Sequence, residues 1–290
     1  MKSDKHKTAL DFESLKGSFS TEGPPNCSDK IQDGSPTGKI NKKVPSESRR
    51  VRKIVQGPSK SLGLPQVADS EILGSRSLIL RTESPWDTFK KVFSCELAGT
   101  VMIAIHRTRP SRVLAIREYS GKDEDKMLDR FRRILHENVI SAKECYRYEG
   151  SLYALVDDLP LTLEHLAGRP NESQLASIVT QVLDGVSYLS AVGFEHESLT
   201  CSNILLGLDG CVKIAALEFC VRYYPTESQA KSIKALAAIM MTLMQTYEKE
   251  DGLVGVDDVR RWPVDSDTVE FLSATSSARF IDTLKQLGLL

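Results

Sequence analysis

The sequence lacks the features that identify several common protein classes. Its six cysteines form no C-x-x-C pair, which argues against a zinc ribbon or a thioredoxin-like motif, and its five histidines show no metal-ligand spacing. No stretch approaches the roughly 18 apolar residues of a membrane span. The residues after Met1 contain no apolar run for a signal peptide. We therefore expect a cytoplasmic protein with reduced thiols.

The charge is distributed unevenly along a chain whose overall formal net charge is −1. Residues 1–60 carry 13 Lys and Arg against 7 Asp and Glu, whereas residues 61–290 carry 25 against 32. The head is therefore basic and the body acidic. A hydrophobic content of 41% in 290 residues is enough to bury a substantial core, but composition by itself names no function.

The first 83 residues are rich in Ser, Pro, Gly and Lys and contain no periodic apolar pattern. We predict a disordered tail over residues 1–83. Two basic clusters, at 42–43 and 49–53, are of a kind that nuclear-import receptors or polyanions bind, so a nuclear location stays open beside the cytoplasmic one. A solvated basic tail explains the same clusters. Since no aromatic residue interleaves these charges, a nucleic-acid platform is not expected.

The rest of the chain changes from short strand-like runs to long helical periodicity. Residues 152–156 are typical of a strand, and apolar residues recur at three- and four-residue steps between Leu175 and Leu189, which predicts one buried helix face. Residues 232–244 are apolar nearly all round, as in a central helix. Asp209-Gly210 predicts a tight hairpin turn. Strands followed by helices indicate an α+β fold with two lobes.

The order of several motifs is similar to that of protein kinases. The segment from His196 to Asn203 resembles the kinase catalytic loop, and Ala216-Leu217-Glu218 lies at the spacing of the D-F-G metal motif. Residues 113–117 resemble the strand that ends in V-A-I-K, and residues 94–101 resemble the Gly-rich loop. The resemblance implies a bilobal kinase-like domain over residues 84–290. Its small, β-rich N-lobe would cover residues 84–158 and its mainly helical C-lobe residues 159–290.

The resemblance also implies which catalytic groups are lost. Ser198 stands where the family has the Asp that orients the acceptor hydroxyl, and a neutral hydroxyl cannot accept a proton near neutral pH as a carboxylate can. Thr200 replaces the Lys of the catalytic loop, which removes a positive charge. Ala216 replaces the Asp that binds magnesium, and a methyl group offers no oxygen to a hard cation.

The nucleotide site is expected to survive only in part. Arg117 occupies the position of the phosphate-binding Lys, and Gly99 is the last glycine of the Gly-rich loop. Glu96 is expected to place a negative charge near the phosphates. Met127 stands where the regulatory helix should supply a Glu. Asn203 matches a metal-ligand position, but the same side chain could brace the loop through backbone hydrogen bonds.

Downstream of the metal motif the sequence departs further from the family pattern. Only residues 219–229 separate Glu218 from the next helix, so the long activation segment that docks a peptide substrate is missing. Ser232 stands where the family has an Asp that ties down the catalytic loop. Glu218 itself could be a relocated metal ligand, although an exposed surface charge is the commoner role for such a carboxylate.

These losses favour a catalytically inactive pseudokinase that acts as a scaffold or allosteric partner. The alternative is a slow or atypical ATP-dependent serine/threonine kinase that uses Arg117 and Asn203 to hold ATP, and a third hypothesis is a remnant without a selected role. Under the first hypothesis no cofactor is expected, with ATP and magnesium bound weakly at most. Protein partners are expected and nucleic acid is not.

Overall fold

A computed structural model describes residues 78–166, 168–224, 228–249 and 252–287. Most of the tail predicted over residues 1–83 lies outside these ranges. The described residues form a β-rich N-lobe followed by a helical C-lobe, which confirms the predicted α+β kinase-like architecture. In the described part of the chain, no helix combines the length and the apolar character that crossing a membrane requires.

The N-lobe is built on a six-stranded sheet with the order β1-β5-β6-β4-β3-β2. β1 runs parallel to β5, and the other neighbours are antiparallel. Because β1 begins at Ile79, the sheet starts upstream of the boundary that we placed at residue 84. The strands are β1 (Ile79–Arg81), β2 (Phe89–Glu96), β3 (Thr100–His106), β4 (Arg109–Ser120), β5 (Ala142–Tyr148) and β6 (Ser151–Val156).

Two helices belong to this lobe, and two small sheets connect it to the C-lobe. The helices are α1 (Pro85–Thr88) and α2 (Asp123–Arg133). One small sheet contains β7 (Leu161–Thr162), β9 (Ile204–Leu206) and β10 (Val212–Ile214), and the other pairs β8 (Phe194–His196) with β11 (Cys220–Arg222). These short strands carry the segments that resemble the catalytic loop and the metal motif.

The C-lobe helices have the pattern that the sequence predicts. They are α3 (Glu172–Ala191), α4 (Ala230–Gln245), α5 (Asp267–Ala274) and α6 (Ile281–Leu287). Helix α3 begins at a capping box between Asn171 and Gln174, which satisfies two backbone donors at the helix start. All seven apolar residues of its predicted face are buried, namely Leu175, Ile178, Val179, Val182, Leu183, Val186 and Leu189.

The predicted hairpin between β9 and β10 is confirmed, although its turn differs in detail. Gly207 N donates to the carbonyl of Cys211 (2.8 Å), and Gly210 N donates to that of Gly207 (3.1 Å). Of the predicted Asp209-Gly210 pair, only Gly210 adopts a positive φ, at 82°. The loop is therefore a turn followed by one left-handed residue, a common three-residue hairpin.

The two lobes are joined through the segment between α2 and β5. Val139 bridges Ile214 in parallel, and Ile140 N donates to the Ile214 carbonyl (2.8 Å). In the opposite direction, Ile214 N donates to the carbonyl oxygen of Asn138 (2.9 Å). A part of the N-lobe thus extends the small sheet that carries β10, which fixes the hairpin beneath the interlobe cleft.

Candidate functional site

Arg117 is held by the turn above it. Arg117 lies on β4, three residues before the end of the strand, and is only 3% exposed. Its Nη1 donates to the carbonyl oxygen of Ala98 (2.7 Å), and its Nη2 donates to that of Leu97. These residues belong to the β2–β3 turn, where Ala98 and Gly99 have φ values of 54° and 94°. The turn thus directs two carbonyl dipoles at the cation that stands in the phosphate-binding position.

A cavity of about 270 Å³ lies beside this contact, between the turn, the end of β4 and the start of α2. Arg117, Tyr119 and Glu218 are among its lining residues. The Nε of Arg117 and the Oε2 of Glu218 are buried and lack a hydrogen-bond partner. Burial raises the pKa of the Tyr119 hydroxyl well above its usual range.

The negative charge of this cavity comes from a different residue than the sequence suggested. Glu96 is exposed, accepts a hydrogen bond from Thr100 Oγ1 (2.8 Å) and is not among the lining residues. Glu218, expected as a surface charge, is instead half-buried and faces the same cavity as Arg117. The Glu96 side chain pairs with Thr100 in the outer part of the turn, and its closeness to bound phosphates stays a prediction.

Helix α2 brings no carboxylate to Arg117. Met127 is fully buried at the position where the family has its Glu. The neighbouring acids point elsewhere, since Glu124 and Asp125 both pair with Arg147. Asp129 pairs with Arg133 on its own helix. Among the described residues, Arg117 therefore has no carboxylate partner within 4.0 Å.

The loop that resembles the catalytic loop is braced by its own polar groups. Asn203 Nδ2 donates to the carbonyl oxygen of Ser198 (2.7 Å) and reaches its Oγ (3.3 Å). Thr200 Oγ1 lies 2.8 Å from Ser202 Oγ. His196 is buried, its Nε2 donates to the carbonyl of Ala215 (2.9 Å), and burial lowers its pKa. The imidazole is thus a structural contact beneath the loop.

Ser232 anchors this region differently from the expected Asp. The residue is buried on α4, and its Oγ donates to Oε1 of Glu195 (3.2 Å), the residue before His196. The anchor therefore reaches the strand that leads into the loop rather than the loop itself. The loop thus receives no direct bond from Ser232, and the short side chain pairs with a residue of β8 instead.

The segment that resembles the metal motif retains an unusual backbone without its ligand. Ala216 has a left-handed conformation, with φ 54° and ψ 48°, and is 3% exposed. A non-glycine residue rarely adopts this conformation, and it is most accessible to Asn and Asp. Within the described residues, no group of three His, Cys, Asp or Glu side chains could hold a metal ion.

Helix α2 holds the start of the shortened activation segment through two cations that our sequence analysis did not single out. Lys126 Nζ donates to the carbonyl of Glu218 (3.1 Å), and Arg130 Nη2 donates to that of Cys220. Arg130 is 5% exposed, and burial lowers its pKa. Their spacing could have indicated a shared role, because residues four apart lie on the same face of a helix.

Replacing Arg130 with Met is expected to destabilise the domain by about 2 kcal/mol, since a charged hydrogen bond is lost and the buried Cys220 carbonyl loses a donor. Amide hydrogen exchange should accelerate in residues 218–222. Urea unfolding followed by circular dichroism measures the first effect. The control is Arg132→Met on the exposed face of the same helix, and equal losses in the two variants would contradict a specific role for Arg130.

Comparison with known proteins agrees with this geometry. The family described as protein tyrosine and serine/threonine kinase matches residues 99–244, which is half of the chain. The chain belongs to the protein kinase superfamily. The family match begins at the turn over Arg117 and ends within α4, so it includes the segments that resemble the catalytic loop and the metal motif.

Individual relatives include both kinases and an adapter. The STE20-related kinase adapter protein strd-1 of Caenorhabditis elegans is 26% identical over 48% of this chain and 39% of its own length. The serine/threonine-protein kinase pak-1 of the same organism is 25% identical over 56% of this chain and 30% of its own length. The serine/threonine-protein kinase PAK 1 of Mus musculus is also 25% identical, over 62% of this chain and 35% of its own length. The chain thus matches less than half the length of each of these relatives.

Proposed function

We propose that this kinase-like domain is a catalytically inactive pseudokinase that acts as a scaffold or allosteric partner in protein complexes. The observation that carries the proposal is the contact between Arg117 and the carbonyl oxygens of Leu97 and Ala98. A phosphate would have to displace these acceptors and then lie against their negative dipoles. The buried Oε2 of Glu218 adds repulsion in the same cavity.

The residues present do not fit a magnesium ion either. Ala216 offers no oxygen, and magnesium requires near-ideal octahedral coordination by oxygen ligands. The amide nitrogen of Asn203 is directed at Ser198, so a lone amide oxygen would be left as the protein's ligand. We therefore propose that the domain works without a resident cofactor.

A role in protein assembly is supported by two further observations. Lys126 and Arg130 hold the start of the activation segment against α2 through hydrogen bonds to its backbone, so contacts within the protein fix this surface near the cleft. One relative, strd-1, is named a kinase adapter. By analogy, we propose that the partners of this domain are proteins, and that the fixed surface of the two lobes is what they bind.

The proposal predicts that 1 mM ATP with 2 mM MgCl₂ leaves the thermal midpoint of the full chain unchanged. A ligand at 100 times its Kd adds about 2.7 kcal/mol of stability, which in a domain of this size raises Tm by about 5–10 °C. Differential scanning fluorimetry measures the shift. A rise that Arg117→Met abolishes would overturn the proposal and favour the slow, ATP-dependent kinase.

A further inference from the structure

Among the described residues, no further strand covers the outer edge of the N-lobe sheet. β2 is the last strand in the sheet order, and in the part of the chain that the structure describes it pairs with β3 alone. The free edge of a strand presents unpaired N–H and C=O groups, which are a template for one more strand. We propose that this edge binds an extended, acidic segment of a partner protein by adding it to the sheet as a further β-strand.

The side chains along this edge are exposed and partly apolar. Residues 90–94 are all exposed, and Val92 and Phe93 are 55% and 54% accessible. Phe93 pairs with Ile103 on β3, while Val113 pairs with Ile105. Side chains two residues apart on a strand share a face, so Phe93 and Val113, which is 48% exposed, lie on one face of the sheet. An added strand would cover Phe93 and Val92 and gain from their burial.

The charge of the edge indicates an acidic occupant. Five exposed cations lie on β2 and around the β3–β4 turn, and in the described ranges none of them forms an ion pair within 4.0 Å: Lys90, Lys91, Arg107, Arg109 and Arg112. The pairing of Phe89 with His106 and of His106 with Arg109 brings the turn to the start of β2. Between residues 88 and 117 the only carboxylate is Glu96, at the opposite end of the strand. This cationic end contrasts with the acidic body.

Other occupants match the edge less well. A second copy of this chain, paired through the same edge, would bring Lys90 and Lys91 close to their own copies, and like charges opposite each other destabilise a strand pair. Lipid headgroups or a nucleic-acid backbone would neutralise the cations but leave the strand's backbone groups unpaired. An acidic strand with alternating apolar residues would neutralise the cations, pair with the backbone groups of the edge and cover the Phe93 side chain.

The test is a fluorescence anisotropy titration of the full chain against a fluorescein-labelled octapeptide of alternating glutamate and valine. We expect saturable binding that Lys91→Glu weakens by about tenfold at low salt, and that Phe93→Thr also weakens. The matched controls are Arg279→Glu and Leu208→Thr, which change exposed residues away from the edge and should leave affinity unchanged. Bound peptide should slow amide exchange in residues 90–95.

Three comparison ligands separate the explanations. The same peptide with alternate amides N-methylated should lose binding, because it cannot pair with an edge strand, and a lysine–valine peptide should not bind. Anionic phosphatidylserine vesicles and single-stranded oligo(dA) should bind more weakly than the acidic peptide. The inference is overturned when Lys91→Glu and Arg279→Glu bind the peptide equally, when N-methylation has no effect, when no peptide binds, or when only vesicles or DNA depend on Lys91. The inference goes beyond the proposed function, because the β2 edge takes no part in nucleotide binding. The peptide titration and the thermal-shift measurement with ATP can therefore fail separately.

Discussion

Replacing Gly185 with Val is expected to destabilise the domain by about 3 kcal/mol or more, because overpacking at a rigid contact forces the backbone to shift. A Cβ at this position of α3 would lie 2.8 Å from the carbonyl oxygen of Asn138 and 2.9 Å from Cδ1 of Ile214. The Asn138 oxygen belongs to the backbone of the segment that joins the lobes. The Ile214 methyl ends a side chain, but Ile214 is fully buried in the core, so it cannot move aside without displacing its neighbours.

The matched control is Gly168→Val, since a Cβ at Gly168 would meet no atom within 4 Å. For a domain of this size, about 3 kcal/mol corresponds to a fall in Tm of roughly 6–12 °C, which differential scanning calorimetry resolves easily. Gly168→Val should lie within a degree or two of the unmodified chain. Similar midpoints for the two variants would mean that the contact between α3 and the interlobe segment yields without strain.

Local patterns in the sequence predict most of the scaffold around the site. The apolar face of α3 follows from side chains at three- and four-residue steps, and the hairpin follows from Gly210, whose positive φ costs a glycine little. These features depend on neighbours within a few residues. The parallel pairing of β1 with β5 could not be predicted in this way, because residues 79 and 144 are distant in sequence and either could pair elsewhere.

The candidate site shows the limit of the same reasoning. Motif spacing identifies Arg117, Asn203 and Ala216, but not what each side chain contacts. The carbonyl oxygens that hold Arg117 belong to a turn about 20 residues upstream, and backbone carbonyls are present in every residue, so they leave no signal in the sequence. The burial of the Glu218 carboxylate could not be predicted from the sequence either, since it depends on where the fold places the β2–β3 turn.

Contacts between side-chain cations and backbone carbonyls link the separate segments of the site to one another. The lysine of an active kinase is an ammonium with a single point charge, whereas the guanidinium of Arg117 is a planar fork that can hold two acceptors at once. An arginine at this position therefore holds the turn over the cleft, which a lysine with its single ammonium could not do in the same way. The cations of α2 act at the other end of the site, where they hold the carbonyls of Glu218 and Cys220.

Restoring the three missing groups together, as Arg117→Lys, Ser198→Asp and Ala216→Asp, is expected not to restore phosphorylation of a protein substrate. The changes would supply a phosphate ligand, an acceptor-orienting carboxylate and a metal oxygen. They would not supply a platform for the acceptor peptide, because only 11 residues separate Glu218 from the start of α4. Orientation of the reactants can account for about 7–11 kcal/mol of a barrier, so the triple variant should remain roughly 10⁵-fold or more below a kinase with a positioned substrate.

The anchoring of the loop adds a second obstacle to the same variant. Ser232 is bonded to Glu195 and not to the loop between Ser198 and Asn203, and Asn203 is bonded to Ser198, whose replacement by Asp would place a carboxylate beside that amide. The measurement is transfer of radiolabelled phosphate from ATP to generic peptide substrates, with the unmodified chain and Arg117→Met as controls. Robust transfer by the triple variant alone would mean that the short segment suffices to dock a substrate, and that only the three chemical groups had been lost.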